Sequence, residues 1–207
     1  MPKAFSEKQK ERIRARLLEA GKGALNRGGL KAVVIDDIAG EAGISKGSFY
    51  AFFPSREDFI LSVFEAWETE YRGALIRMVS EGKDSPREKL ERFFKGAFSI
   101  FEREPGLAKI RFTDVGLLVE ALPPERLSAH QANDQTVLER TFSQWAEDGL
   151  LDPSTLAALP GIGSALFCIA MHKEDFPEGS FGPACDLVAE ALAMRIAAKD
   201  TGKGDAI

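Results

Sequence analysis

Apolar side chains recur at helical spacing along most of the chain, so that each segment can bury one face of a helix. No stretch alternates between apolar and polar residues in the manner of a half-buried strand. Pro, Gly and Ser separate the apolar runs and mark their ends, and Pro160 is expected to kink or restart its helix. Capping boxes are expected at Ser6 with Gln9 and at Ser85 with Glu88, and Ser55 is expected to cap the helix after Pro54. The inward stripe of the first helix is expected to be Ile13, Leu17, Ala20, Gly21 and Ala24. The expected helices cover residues 6–27, 35–42, 45–52, 55–80, 85–103, 107–119, 123–148, 152–172 and 181–198. The fold is therefore predicted to be all-α.

Residues 34–59 hold three closely spaced helix starts. The first helix is expected to end at Gly43, since glycine readily adopts the positive φ that follows a helix. Ser45 is expected to cap the second helix, with Ile44 and Phe49 forming a hydrophobic staple across its start. Two short helices joined by a glycine turn, followed at once by a third, are the layout of a helix-turn-helix DNA-binding unit.

This segment resembles the DNA-binding end of the tetracycline-repressor (TetR) family of transcription regulators. The matching residues are Ile38-Ala39, Ala42-Gly43-Ile44-Ser45-Lys46-Gly47-Ser48-Phe49-Tyr50 and Phe53-Pro54-Ser55-Arg56-Glu57. Their fixed spacing is more specific than a helix-turn-helix pattern alone. The match covers residues 6–60, and beyond it only length and helical character agree. The resemblance implies a three-helix helix-turn-helix DNA-binding domain at residues 1–54 and a helical-bundle ligand-binding and dimerisation domain at residues 55–207.

In that family the second helix of the motif lies in the major groove, and here that helix is residues 45–52. Lys46 can reach a base edge or a phosphate, although a merely solvated lysine is the alternative. Gly47 lets the backbone approach DNA closely, and Tyr50 can stack on a sugar. Arg56 is expected to face a phosphate at a helix N-terminus. The residues expected to bind DNA are Ser45, Lys46, Gly47, Ser48, Tyr50, Phe52, Ser55, Arg56 and Arg12.

The motif departs from the family pattern at three positions. Many relatives carry Thr or Ser where this chain has Val33 and Val34, and those hydroxyls cap the helix and touch phosphate. Their replacement predicts the loss of a cap worth about 1 kcal/mol. Phe52 stands where relatives often have His, and it either packs on a thymine methyl or turns inward. Affinity or base preference is expected to differ from typical members, whereas the fold is not.

The charge is unevenly distributed along the chain. The formal net charge is −5, but residues 1–31 carry nine Lys/Arg and three Glu, and residues 1–60 carry a net +3. The rest of the chain therefore carries −8. A basic head on an acidic body attracts phosphate at one end only, as a site-specific DNA binder requires. For Arg12, as for its neighbours Arg14 and Arg16, the alternative to a phosphate contact is a solvated helix face.

Size and composition are those of a soluble globular protein with a substantial core, at 207 residues, 44% hydrophobic and 29% charged. Cys168 and Cys185 are too few for a disulfide framework, so both are expected to be buried in a reduced, cytoplasmic setting. No signal peptide is predicted, because no apolar run follows the first basic residues. Residues 153–171 lack formal charge, but their Pro, Gly and Ser content favours a helix at a protein interface over a membrane span.

The second domain is rich in aromatic residues, which suit a largely apolar or planar effector. The residues expected to line its site are Trp67, Phe94, Phe98, Phe101, Phe112, Phe142, Trp145 and Phe167. For each of them ordinary core packing is the alternative. The polar candidates for orienting such a ligand are Arg111, His130, Asn133 and His172.

No cofactor and no metal are expected. Cys168 and His172 share a helix face, but two ligands without companions are a weak metal signal. No nucleophile, base and orienting group can be assembled at catalytic spacing, so the chain is not expected to be an enzyme. A helical enzyme that uses an aromatic pocket is therefore a remote alternative.

The last two helices, at about residues 153–172 and 181–198, form a four-helix dimer interface in the family that the chain resembles. A dimer also fits DNA geometry, because two recognition helices must meet the two half-sites of a pseudo-palindromic operator. The resulting hypothesis is a homodimeric regulator, most simply a repressor, that a small, largely apolar molecule releases from its operator. The alternative is a helical adaptor of the same fold that acts through protein contacts without operator binding.

Overall fold

The computed structural model describes residues 5–103, 109–110 and 112–198, and the side chains of 101–103 and 112 lie outside that description. Nine α-helices lie in the described part: α1 Glu7–Gly28, α2 Ile35–Glu41, α3 Lys46–Phe49, α4 Arg56–Ser80, α5 Pro86–Arg103, α6 Phe112–Ala121, α7 Pro124–Glu147, α8 Leu159–Met171 and α9 Phe181–Ile196. Short 3-10 helices occupy Gly29–Ala32, Pro153–Ala158 and Lys173–Asp175. Within these residues the only β pairing is an isolated bridge, so the fold is all-α as predicted.

Helix starts follow local capping chemistry. At α1, Ser6 Oγ accepts from the backbone N–H of Gln9, and the Gln9 side chain accepts from the N–H of Ser6. At α5, Ser85 and Glu88 form the same reciprocal pair of bonds. Each box satisfies two N–H groups that lack partners inside the helix, which fixes the first turn. Both predicted capping boxes are confirmed.

The chain forms two compact units, residues 1–71 with 101–130 and residues 72–100 with 131–207. These units do not coincide with a division after residue 54, because the first half of α4 and the segment 101–130 pack with the N-terminal helices. The division at residue 54 was argued from function and stays a prediction.

The core of the first unit is built on the aromatic residues Phe49, Phe53 and Phe59, which are fully buried. Their ring centroids lie 4.9–5.5 Å apart, the separation of packed aromatic pairs. Gly21 brings α1 close to this group, since a Cβ at that position would lie 2.6 Å from the Phe59 ring. The inward stripe predicted for α1 is buried here: Ile13, Leu17, Ala20, Gly21 and Ala24.

Two predicted helices differ in extent. α3 has only four helical residues, Lys46–Phe49, followed by a turn over residues 50–52. Proline disfavours helical geometry in the residue before it, so Pro54 forces the chain out of the helix early. The predicted helix 152–172 divides into a 3-10 helix at Pro153–Ala158 and α8, and Pro160 lies in the first turn of α8. That restart was predicted from Pro160.

The second unit buries two clusters. One surrounds Leu90, Phe94 and Trp145, and the other consists of Phe98, Phe181 and Cys185. Much of α8 and α9 stays outside them. The stretch Pro153–Met171 has mean hydropathy 1.7 and is long and apolar enough by composition to cross a membrane, yet only 17% of its apolar window is buried. Most of this apolar stretch is therefore exposed in the described part of the chain.

Candidate nucleic-acid interface

Buried residues on one side of α3 fix the position of the residues on its exposed side. Phe49 and Phe53 are fully buried, and Ile44 packs against the same cluster, as the predicted staple requires. Ser45 Oγ accepts from the N–H of Ser48 at 3.2 Å, which confirms the predicted cap. Gly43 ends the preceding helix with φ +72°, the conformation predicted for it. The residues expected to bind DNA are left on the surface of the same short helix.

Five of the residues expected to bind DNA are exposed: Ser45, Lys46, Gly47 and Tyr50 at α3, and Arg12 on α1. Lys46 Nζ donates to Asp36 Oδ2 at 2.8 Å, and the two side chains are 53% and 61% exposed. This hydrogen bond raises the pKa of Lys46 above its ordinary value. An exposed pair of this kind contributes little to stability, so an incoming phosphate can replace the carboxylate. The sequence reasoning missed Asp36, which lies ten residues away on α2.

Gly47 has no role in the described structure that requires glycine. A Cβ at this position would meet only Ser45 Oγ, at 3.9 Å, which is an ordinary contact distance. Its φ is not among the positive values, which in the described residues belong to other glycines. Glycine costs about 1 kcal/mol relative to alanine inside a helix. The residue therefore weakens α3 without any gain in packing inside the chain.

Arg56 adopts a geometry that differs from the predicted phosphate contact. Its Nε donates to the carbonyl of Val33 at 2.9 Å, and its Nη2 donates to the carbonyl of Leu30. These carbonyls lie at the end of a 3-10 helix, outside regular α-helical bonding, and accept the guanidinium. Arg56 thus holds α4 against the connection between α1 and α2. Beside it, Ser55 Oγ accepts from the N–H of Asp58 at 3.0 Å, which confirms the predicted cap.

Arg12 lines a surface groove of about 610 Å³ between α1 and the turn after α2. Arg16, one helical turn further along, lines the same groove and approaches the turn at Gly43. Arg14 is used differently: its guanidinium lies 4.4 Å above the Phe53 ring, and its Nη1 donates to a backbone carbonyl at 3.4 Å. The groove thus presents two cations. Their spacing of four residues places them on one face of α1, and from that spacing their proximity could have been predicted.

The departures from the family pattern have clear structural outcomes. Val34 occupies the N-cap of α2 with no side-chain capping bond, as its apolar side chain predicts. Val33 is buried in the core instead of facing outward. Phe52 is half-buried and packs on the first core, with its ring centroid 6.2 Å from that of Phe5. It therefore turns partly inward, and Phe5 was not singled out from the sequence.

An ion-pair cluster joins the start of α4 to α7 within the first unit. Arg126 Nε donates to Asp58 Oδ1 at 2.6 Å, and its two terminal nitrogens donate to the two Glu65 oxygens at 2.8 and 2.7 Å. His130 Nδ1 lies 3.3 Å from Glu65 Oε1. Burial raises the pKa of Glu65, but His130 and Arg126 more than offset it and lower this pKa to about 2. Long-range pairing of this kind left no signal in the sequence.

The aromatic residues expected to line an effector site fall into separate clusters. Trp67 belongs to the core of the first unit. Phe94 and Trp145 are buried in one cluster of the second unit, with Phe142 packed on it, and Phe98 is buried in the other. Phe167 is half-exposed on α8. The side chains of Phe101 and Phe112, and the whole of Arg111, lie outside the described residues.

Two further expectations concern the cysteines. Cys185 is buried, as predicted, but the prediction for Cys168 was wrong, because its side chain is exposed on α8. Cys168 lies in the little-buried apolar stretch of α8. His172, one of the polar residues expected to orient a ligand, lies beside an acid in the next turn: its Nδ1 is 2.8 Å from Asp175 Oδ2.

The motif that these contacts organise has a counterpart in a known family. Residues 17–63 match the model described as bacterial regulatory proteins of the tetR family. The chain is 32% identical over 137 residues to the transcriptional regulator AcuR of Cereibacter sphaeroides, covering 63% of this chain and 60% of AcuR. The helix-turn-helix region of this chain is that of the TetR family. It is also 30% identical over 89 residues to the HTH-type transcriptional repressor KstR2 of Mycobacterium tuberculosis, covering 43% of this chain and 44% of KstR2.

These alignments span less than two thirds of the curated relatives, and the TetR model covers only the helix-turn-helix region and the start of α4. Solved structures extend the likeness of fold. FadR of Bacillus subtilis in complex with stearoyl-CoA aligns with a TM-score of 0.61 at 17% identity, over 86% of this chain and 97% of that one. A TetR-family regulator of Pectobacterium atrosepticum aligns with a TM-score of 0.63 at 21% identity, over 92% and 95%. The family consists of regulators rather than enzymes.

Proposed function

We propose that this chain is a homodimeric transcription regulator, most simply a repressor, that binds a pseudo-palindromic DNA operator and is released by a small, largely apolar effector. The observation that carries the proposal is the exposed face of α3. Lys46, Gly47 and Tyr50 lie on it, while Phe49 on the opposite side is locked in the core. A rigid helix with one polar, accessible face suits the major groove.

Gly47 supports a close approach of DNA to this face. The structure gives no internal reason for a glycine there, and a glycine without an internal role fits a site where another molecule's backbone comes near. Arg12 and Arg16 add positive charge beside the turn, where a phosphate can be held. Arg56 is left out of this set because its donors serve backbone carbonyls.

The apolar surface of α8 and α9 supports a dimer. Leu187 and Met194 lie two turns apart on one face of α9 and are largely exposed, and Phe167 is half-exposed on α8. Isolated exposed apolar residues are common, but a shared helical face in a little-buried apolar stretch is typical of an interface. A second copy would cover the two faces symmetrically and supply the second recognition helix.

The effector part of the proposal rests on the aromatic residues of both units and on the relatives. FadR of Bacillus subtilis, a protein of similar fold, was solved with stearoyl-CoA, whose acyl chain is apolar, and this supports an effector with an apolar part. Release requires the effector to prefer the conformation that does not bind DNA, since equal affinity for both would shift nothing.

The test is selection of random duplex DNA on purified protein, followed by sequencing, with Lys46→Ala and Gly47→Ala in parallel. We expect the wild type to enrich a palindrome. Gly47→Ala should keep or raise the free energy of unfolding, because alanine favours the helix, yet weaken operator binding. Lys46→Ala should lower affinity and reduce the dependence on salt. Failure of a folded wild-type dimer to enrich any sequence at low salt would sink the proposal.

The helical adaptor remains the second candidate, and the uncapped start of α2 is the observation that favours it. Val34 offers neither a capping oxygen nor a phosphate contact at the place where a hydroxyl serves both in many relatives. The two candidates differ in salt dependence. Operator binding must weaken steeply with ionic strength, whereas an adaptor would show no specific DNA complex at any salt.

A further inference from the structure

The indole N–H of Trp67 is a buried donor with no acceptor. Trp67 lies on α4, its side chain is 3% exposed, and its Nε1 is fully buried with no hydrogen-bond partner among the described residues. Most buried donors are paired, and an unpaired one destabilises the fold. Trp145, which is 6% exposed, does not share this state. The donor of Trp67 is therefore available to an acceptor from outside the chain.

The surroundings of Trp67 are apolar on most sides and carry one cation. The Phe64 ring stacks on the indole, with centroids 6.0 Å apart and planes inclined by 27°. Leu118 of α6 and Leu122, which directly follows α6, belong to the same buried cluster. Lys22 of α1 places its Nζ 5.8 Å from the indole centroid, and its side chain is only 22% exposed. All of these groups belong to one compact unit.

These groups define the chemistry of the missing partner. A donor next to an ammonium favours a polarised oxygen, such as that of a carbonyl or a carboxylate. Glu70 Oε2 lies 2.7 Å from Lys22 Nζ and already balances its charge, so the partner need not be an anion. Phe64, Leu118 and Leu122 favour an apolar body behind that oxygen.

We propose that Trp67 Nε1 donates a hydrogen bond to the acyl oxygen of the effector, which is a carboxylic acid or its ester with an apolar body. The inference deepens the proposed function and rests on it, because it assigns the polar anchor of the effector site. It also separates Trp67 from the other aromatic residues predicted to line that site, since Trp67 supplies a directional bond as well as contact area.

The test uses the fact that the chain has two tryptophans. Protein labelled with nitrogen-15 at the indoles gives one N–H signal for each, assigned with Trp67→Phe and Trp145→Phe. The probes are butyrate, hexanoate and octanoate, their methyl esters, and hexane as the probe without oxygen. We expect acids or esters to move the Trp67 proton downfield, as a new hydrogen bond does, while hexane does not and the Trp145 signal stays in place.

Affinity provides the second readout. Trp67→Phe keeps an aromatic ring but loses the donor, so the same probe should bind about tenfold more weakly, the effect of one neutral hydrogen bond. Trp145→Phe serves only to assign the second indole signal. The inference is overturned if no acid or ester moves the Trp67 signal, or if Trp67→Phe binds the probe as tightly as the wild type. The titration of the wild-type protein decides the question even if Trp67→Phe fails to fold.

Failure of the inference can be told from failure of the proposed function. Trp67 lies outside the residues proposed to bind DNA, so Trp67→Phe should bind the selected operator like the wild type. A wild-type protein that binds no DNA refutes the regulator, whatever the Trp67 signal does. If a probe dissociates the operator complex while the Trp67 signal stays in place, the inference about Trp67 is refuted and the proposed function is not.

Discussion

The helix-turn-helix region buries its large apolar residues, whereas the C-terminal helices leave several of theirs exposed. In the first region the rings of Phe49 and Phe53 are fully buried, although α3 has only four helical residues. In the second, α9 is four times as long and leaves Leu187 and Met194 largely exposed. Helix length therefore does not decide burial here. The first region is complete within one chain, whereas the second leaves large apolar side chains uncovered and is in that sense incomplete.

The largest expected effect is on the complete region. Phe49→Ala removes a fully buried ring that contacts Phe53 and Phe59, and we expect it to lower the free energy of unfolding by about 3–5 kcal/mol. Urea denaturation measures the change. Tyr50→Ala, at the adjacent exposed position, should cost less than about 1 kcal/mol. Equal losses for the two variants would show that α3 is not anchored as described.

A substitution in the incomplete region should weaken dimerisation and leave the folding of the monomer intact. Leu187→Asp places a charge on the proposed two-fold interface in both copies, and we expect dimer affinity to fall by at least about 100-fold with the monomer still folded. Sedimentation velocity across a concentration series measures this. Leu117→Asp is the matched control, because Leu117 on α6 is 66% exposed and Leu187 is 67% exposed. Equal dissociation in both variants would contradict an interface on α9.

The ion-pair cluster of α4 and α7 tests whether the first unit depends on its polar contacts as well as its core. Arg126→Ala leaves Asp58 and Glu65 without their shared partner, and we expect a loss of about 2 kcal/mol in the free energy of unfolding. Arg92→Ala removes an exposed arginine paired with Asp84 and should cost less than about 1 kcal/mol. A larger loss of stability for Arg92→Ala than for Arg126→Ala would contradict the stabilising role of the cluster around Arg126.

The same cluster predicts a pH dependence. The pKa of Glu65 is lowered from 4.5 to about 2, so the carboxylate stabilises the fold above pH 4.5, and this contribution is lost as the pH falls toward 2. The difference in stability between the wild type and Arg126→Ala should therefore shrink on acidification through that window. Unfolding curves at a series of pH values measure it, and a constant difference would argue against the pairing.

The smallest expected effect concerns the surface of the complete region. Asp36→Asn keeps the size of the side chain but removes the charge that holds Lys46, and it should change the free energy of unfolding by less than about 1 kcal/mol. Affinity for non-specific DNA should rise severalfold, because Lys46 is released toward phosphate. Fluorescence anisotropy with random duplex DNA measures this. An unchanged affinity would mean that the pair does not compete with DNA.

Sequence reasoning was accurate where the determinants are local. The caps at Ser6, Ser45 and Ser85 and the positive φ of Gly43 depend on residues within three positions, so they could be predicted. Arg56 could not be, since its choice between phosphate and the carbonyl of Val33 is set by a contact across 23 residues.

Packing partners were equally beyond the sequence. The aromatic residues predicted as one effector set fall into three clusters, because a helical stripe specifies that a residue is buried but not which element covers it. The exposure of Cys168 was missed for the related reason that an apolar sequence does not reveal which face of a helix its neighbours leave uncovered.

The pair of Lys46 with Asp36 has a consequence for how the protein would search a chromosome. A lysine without this partner would bind every stretch of duplex with similar affinity, because every stretch carries phosphate. With the carboxylate in place, each non-specific encounter must first break an internal contact and then leaves a negative charge facing the duplex. Brief, weak encounters favour rapid travel along DNA, and only an operator that offers further base contacts to α3 would retain the protein for long.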